Sequence, residues 1–206
     1  MLARFRQEMP VVESELRHEN RFQLLVAVIL SAQCTDKRVN LVTPKLFEKF
    51  PTAEAMAKAE AEEVLPLISS ISYPNAKARH LVDAARMIVR DFGGEVPEER
   101  DELMRLPGVG RKTANVVQAV GFGKLTIAVD THVYRVSHRL GLVRKTADTP
   151  IKVENELMGN IPPEDLPRAH HWLLLHGRYV CTSQRPKCNK CFLEYICPKR
   201  LENSKL

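Results

Sequence analysis

Nothing restricts the fold of this chain more than residues 106–132, LPGVGRKTANVVQAVGFGKLTIAVDTH. Pro107 with Gly108 and Gly110 forces a turn that interrupts any regular element. Both glycines allow positive φ and remove the Cβ atoms that would keep a backbone away from a ligand. Residues 111–120 then read as a helix, so its unpaired N–H groups and positive dipole end face the turn. That arrangement suits a phosphate. Lys112 falls in the first helical turn, where cations are disfavoured. It is either solvated and flexible or held close to its neutral amine, and a neutral amine is a nucleophile.

The remaining sequence reads as helix almost throughout. Residues 22–32 are apolar on nearly every side, the pattern of a buried central helix. Thr52 precedes an alanine- and glutamate-rich segment that predicts one helix to residue 65, with Thr52 as its N-cap. Residues 75–92 set Leu81, Ala85, Ile88 and Phe92 on one stripe, and Gly93-Gly94 stops it. Thr149-Pro150 starts a helix that runs towards Gly159, and residues 131–140 and 166–180 form two more. Residues 126–129 are the one short extended candidate. Pro51, Pro97, Pro107, Pro162 and Pro163 sit at the boundaries. The expected fold class is all-α.

The chain has 206 residues and a net charge of +6, so an anionic partner is expected and nucleic acid is the first candidate. The longest apolar run, residues 24–30, is too short to span a bilayer, which argues against a membrane partner. The start, MLARFRQEMP, lacks an apolar h-region and reads as mature protein, so a cytoplasmic location is the simplest case, nucleoid-associated in a prokaryote. A monomer is the expected state. Four of five cysteines, Cys181, Cys188, Cys191 and Cys197, are spaced C-x6-C-x2-C-x5-C. In a cytoplasmic chain disulfides are disfavoured. Four-cysteine zinc sites commonly use two C-x2-C knuckles and this chain has one, so the spacing favours an iron–sulfur cluster over zinc. Cys34, in the apolar helix, is expected to be a small buried residue.

LPGVGRKTANVV, then TIAVDTHVYRV, HHWLLLHGRYVC and the four cysteines, with LLVAVILSAQCTDKRVN upstream, together resemble the endonuclease III family, the iron–sulfur branch of the helix-hairpin-helix DNA glycosylases. The resemblance covers most of the chain in the expected order. It implies two helical lobes flanking a DNA-binding cleft. One is a six-helix barrel lobe, residues 14–124, with the hairpin motif at about 100–119. The other, residues 1–13 plus 125–206, carries a [4Fe-4S] cluster. It also implies excision of oxidised pyrimidines from double-stranded DNA, followed by strand cleavage at the abasic site.

The resemblance implies roles residue by residue. Lys112 attacks the sugar C1′ and forms a Schiff base, with helix-end placement, partial burial and Arg111 all favouring the neutral amine; its other reading is a phosphate-binding lysine. Asp130 stabilises positive charge on the sugar, and it is equally an N-cap for the helix that follows. Gly108 and Gly110 hold the DNA backbone through main-chain N–H groups, or form only a tight turn. His132 contacts DNA, or serves as a capping or core histidine. Gln33 fills the gap left by the extruded base, or caps its helix. Asp36 matches a position near the cleft, or is the N-cap of the next helix. Tyr73 stands where the family usually puts an apolar wedge, often leucine, and Pro74 changes the shape of that loop. Arg185 and Lys187, with Lys190 beyond, would be gathered by the cluster loop into a patch for phosphates. The competing readings are an adenine- or mismatched-thymine-type glycosylase, a silent DNA-binding or redox module, and a zinc protein. Lys112 and the short tail after Cys197 disfavour the first, and the Lys112–Asp130 pair disfavours the second.

Overall fold

The computed structural model describes residues 1–12 and 14–199; residues 200–206, the end of the expected cluster lobe, lie outside the described residues. Eleven α-helices follow one another: α1 (Leu2–Glu8), α2 (Arg21–Ser31), α3 (Asp36–Lys49), α4 (Ala53–Ala57), α5 (Ala61–Val64), α6 (Pro74–Phe92), α7 (Arg100–Leu103), α8 (Arg111–Phe122), α9 (Thr131–Leu140), α10 (Pro150–Asn160) and α11 (Leu166–Tyr179). No strand occurs among the described residues, so the extended candidate at 126–129 pairs with nothing. No helix among them is long and apolar enough to cross a membrane.

The chain divides into two compact units, Ser14–Gly123 and Met1–Glu13 with Lys124–Leu206. In the first, α2 is the axis. Asn20 accepts from the Gln23 amide while the Gln23 side chain accepts from Glu19 N–H, a reciprocal cap that fixes where α2 starts. From Phe22 to Leu30 every residue is buried, as the apolar pattern predicts. The apolar stripe of α6 packs on α4, and α8 lies against α2. The predicted helix from Thr52 to residue 65 is instead split into α4 and α5. Thr52 does cap α4, accepting from Ala55 N–H. Arg86 on α6 then takes the carbonyls of Ala57 (3.2 Å) and Ala59 (2.9 Å), and Ala59 turns into the core. A tertiary partner thereby satisfies groups that a continuing helix would have used.

The second unit has its own core. Trp172, fully buried, stacks on Phe5 of α1 and donates its indole N–H to Met9 O at 2.9 Å. Burying two such rings stabilises this unit by several kcal/mol, at about 25 cal/mol per Å² of apolar surface. Helices α9 and α11 pack closely because Gly177 of α11 faces α9: a Cβ there would come within 2.9 Å of Val136 and 3.0 Å of His132.

Candidate active site and thiol cavity

Two groups of predicted residues lie on the first unit. The hairpin turns as the glycines predict, with Val109 N–H donating to Leu106 O at 3.1 Å. The two glycines do different jobs. Gly108 sits at φ +82, and a Cβ there would press on His80 at 3.1 Å, so the conformation and the packing both require glycine. Gly110 does not use the positive φ that a glycine allows. It is the N-cap of α8 at φ −95, no side chain caps the helix, and nothing lies within 4 Å of where its Cβ would be. The first turn of α8 therefore offers amide donors and dipole beside an open approach. Arg111 is the first residue of that turn and Lys112 the second. Lys112 is exposed, which corrects the expected partial burial: the start of α8 stands clear of the apolar face that begins at Ala114.

Gln33 and Tyr73 form the other group. Both lie in the left-handed region, at φ 55 and φ 57, and the third such non-glycine described is Lys199. The conformation costs an L-residue roughly 1–2 kcal/mol. Tyr73 is further constrained by Pro74, since a pre-proline residue normally extends, yet the side chain is 63 % exposed. Two strained turns thus present two exposed side chains. Both turns are held from below. Ser72 Oγ donates to Gln33 O at 2.7 Å, and Lys77 Nζ donates to Leu30 O (2.9 Å) and Ala32 O (2.6 Å) at the end of α2. Burial pulls the Lys77 ammonium below its usual lysine range. Its sequence signal was a place on the α6 stripe, one turn before Leu81. Cys34 lies beyond α2 and is only half-buried, packed against the core rather than inside it. Asp36 opens α3 without capping it; Thr35 does that, accepting from Arg38 N–H.

On the second unit, Asp130 caps α9. Its Oδ1 accepts from the amides of His132 (2.9 Å) and Val133 (2.8 Å), and Oδ2 lies 3.2 Å from His132 Nδ1. The carboxylate keeps 15 % of its surface in solvent and His132 keeps 32 %. The capping reading of Asp130 holds, and it fixes the carboxylate rigidly at a helix start. His132 is neither cap nor core; it lines the exposed side of that carboxylate. The loop leading to Asp130 is braced by buried His170, whose Nδ1 is 2.8 Å from Ala128 O.

The four clustered cysteines are half-buried and line one open cavity together with Arg139, His176 and Pro186. Among the described residues no three His, Cys, Asp or Glu side chains are arranged to hold a single metal ion. Donors nevertheless point at sulfur: Leu193 N–H at Cys191 (3.4 Å), Lys199 N–H at Cys197 (3.3 Å) and Arg139 Nη1 at Cys181 (3.6 Å). His176 Nε2 lies 3.6 Å from Cys191 Sγ, while its Nδ1 is buried without a partner. Burial lowers this histidine to about 4, so the ring is neutral. It also raises the Cys191 thiol. Four cysteines around one cavity, three of their sulfurs met by N–H donors, are a donor set that suits a multi-iron cluster. Sequence reasoning missed the two arginines that shape the cavity. Arg139 donates to Thr182 O (2.7 Å) and Ser183 O (2.8 Å), and Arg135 to Gly177 O (2.8 Å). Arg185, Lys187 and Lys190 are exposed on the same loop.

Residues 26–163 match the family described as HhH-GPD superfamily base excision DNA repair protein. Endonuclease III of Bacillus subtilis (strain 168) is 50% identical over 188 residues, covering 91% of this chain and 85% of the relative. Endonuclease III of Escherichia coli (strain K12) is 43% identical, covering 96% and 92%. A solved trapped endonuclease III–DNA covalent intermediate, an estranged-adenine complex, superposes with a TM-score of 0.89 at 47% identity, covering 96% of this chain and 92% of that one.

Proposed function

The chain belongs to the endonuclease III family of HhH-GPD base excision DNA repair proteins, and from that premise we propose that Lys112 is its nucleophile and Asp130 its charge-stabilising carboxylate. The protein is a DNA glycosylase that also cleaves the strand at the abasic site, and double-stranded DNA is its partner. Oxidised pyrimidines are the proposed lesions and the cytoplasm the proposed location.

The observation that carries the assignment is the start of α8: an uncapped first turn, an open face at Gly110 and an exposed amine two residues further on. Phosphate held by the amides after Gly108 and Gly110, with Arg111 beside them, brings deoxyribose to Lys112. The damaged nucleotide rotates out of the stack, at a cost of a few kcal/mol. Gln33 fills the gap it leaves and Tyr73 wedges the stack open. Because Lys112 is exposed in the free protein, bound DNA itself must strip water from the amine. The neutral amine attacks C1′, the bond from C1′ to the base breaks, and the base departs with the electron pair and takes up a proton. Ring opening at O4′ leaves the lysine joined as an iminium. Loss of a proton from C2′ then expels the 3′ phosphate by β-elimination. That the related protein was trapped as a covalent DNA intermediate supports this route.

Asp130 faces positive charge as it builds on the sugar, the electrostatic reverse of an oxyanion hole. Its two amide donors hold it in place, and His132 shares its outer oxygen. Cys181, Cys188, Cys191 and Cys197 are the proposed ligands of a [4Fe-4S] cluster, which when bound crosslinks the loop that carries Arg185 and Lys187. Borohydride trapping on a duplex with one thymine glycol tests the assignment. Cluster-loaded wild type should give a covalent adduct, and Lys112→Gln should give none. Excision without an adduct would leave a monofunctional glycosylase and remove Lys112 from its role.

A further inference from the structure

The turns that carry Gln33 and Tyr73 are far apart in sequence, yet one residue holds both. The Lys77 amide donates to Tyr73 O at 3.1 Å, which fixes the turn that starts α6. Its ammonium reaches the other way, to the carbonyls of Leu30 and Ala32. Those carbonyls are the negative end of α2, where a cation is favoured. At 6 % exposure Lys77 is buried, and its bond to Leu30 O is held out of water, where it resists exchange. Ser72 completes the link from the surface, with its hydroxyl on Gln33 O itself. The two left-handed residues are therefore the two ends of one hydrogen-bonded assembly.

We propose that Ser72 and Lys77 latch the Gln33 turn to the Tyr73 turn, so that both side chains meet the duplex as one preset pair. Ser72 is then a positioning residue that sets how strongly the base opposite the lesion is discriminated. A residue at positive φ has neighbouring wells of lower energy. Without the hydroxyl the Gln33 carbonyl is released, and the peptide that orients the glutamine amide can relax. Reading an orphaned base requires the amide to present donor and acceptor at fixed angles. A loosened turn contacts every partner base alike, and discrimination falls before grip on the backbone does. The proposal rests on the reading of Gln33 and Tyr73 as the residues that enter the duplex.

The test uses cluster-loaded protein and a duplex with a tetrahydrofuran abasic analogue opposite 2-aminopurine, whose fluorescence rises when an intruding side chain unstacks it. A second series measures single-turnover excision of thymine glycol opposite each of the four bases. Lys77→Met would leave the buried Leu30 carbonyl without its lysine donor and endanger the fold, so Ser72→Ala carries the test. Ser72→Ala should melt with wild type, lose most of the fluorescence rise, and compress the spread of rates among opposite bases about two- to tenfold, the range of one hydrogen bond. Ser72→Thr, which keeps the hydroxyl, should restore both readouts. Wild-type fluorescence and rate spread in Ser72→Ala, alongside losses in Gln33→Ala and Tyr73→Ala, would overturn the latch and leave the reading of the two probes standing. No loss in Gln33→Ala or Tyr73→Ala would overturn that reading and the latch together.

Discussion

On the proposed reading Asp130 does two jobs with one carboxylate, and the substitution chosen decides which one is lost. As N-cap it accepts two backbone N–H bonds through Oδ1, a task that asparagine performs about as well. As a charge facing the sugar it needs a full negative charge, which asparagine lacks. Asp130→Asn should therefore keep the melting temperature and slow single-turnover excision by roughly 10²- to 10³-fold, the scale of a preorganised electrostatic contact. Asp130→Ala should lose a similar amount of rate and also about 1 kcal/mol of stability with the cap. Thermal melting beside single-turnover kinetics separates the two effects. Equal rates in Asp130→Asn and wild type would reduce the residue to its cap. The capping role was legible in the sequence from Asp130 and the helical pattern after it, whereas the share that His132 takes of Oδ2 was not. Such a contact depends on the rotamers that the packing of α9 against Gly177 allows.

At the scale of elements, the hairpin and α8 show how similar residues can serve opposite ends. Gly108 is required by the protein, since positive φ and His80 both oppose a Cβ. Gly110, at φ −95 with open space beside it, is required by nothing in the protein. Gly108→Ala should cost roughly 1–3 kcal/mol in a denaturant melt. Gly110→Ala should cost about 1 kcal/mol, since alanine is a much poorer N-cap than glycine, while weakening duplex binding roughly tenfold because its methyl stands in the path of the DNA backbone. If Gly110→Ala binds duplex like wild type, the open face at the start of α8 is not where DNA docks. The sequence located α2, α6, α8, α9, α10 and α11 to within a few residues, because apolar periodicity, caps and prolines are local signals. It missed the break between α4 and α5, where the deciding group is Arg86, more than two dozen residues downstream. It also missed the exposure of Lys112 and the buried reach of Lys77, which depend on how α8 and α6 lie on α2. The cysteine spacing announced a shared centre, but Arg135 and Arg139, which shape the loop around it, come from α9 and carry no spacing signal.

For the whole molecule, charge bears on binding through its local arrangement more than its total. The chain carries +6, and a cluster held by four thiolates would bring that to about +4. Several of its cations are neutralised within the protein: Arg6 on Asp165, Arg86 on Glu60, Arg144 on Glu156 and Lys152 on Asp148. On the cluster loop, Lys199 lies 3.8 Å from Glu194, which leaves the exposed Arg185, Lys187 and Lys190 as the concentrated positive charge there. Each lysine or arginine that neutralises a phosphate releases counterions, so log K falls against log salt with a slope of about −0.9 per contact. Arg185→Ala and Lys187→Ala should each make that slope shallower by about 0.9, and the double variant by about 1.8, with damaged and undamaged duplex weakened equally. Gln33→Ala and Tyr73→Ala should act the other way, weakening binding to lesion duplex at an unchanged slope, since neither side chain carries charge. Fluorescence anisotropy across a salt series, on one lesion duplex and its undamaged parent, reads both effects in a single experiment. An unchanged slope in the double variant would take the cluster loop out of contact with DNA. The cavity's four thiols would then serve the fold of the second unit alone, and phosphate binding would rest on the hairpin amides and Arg111.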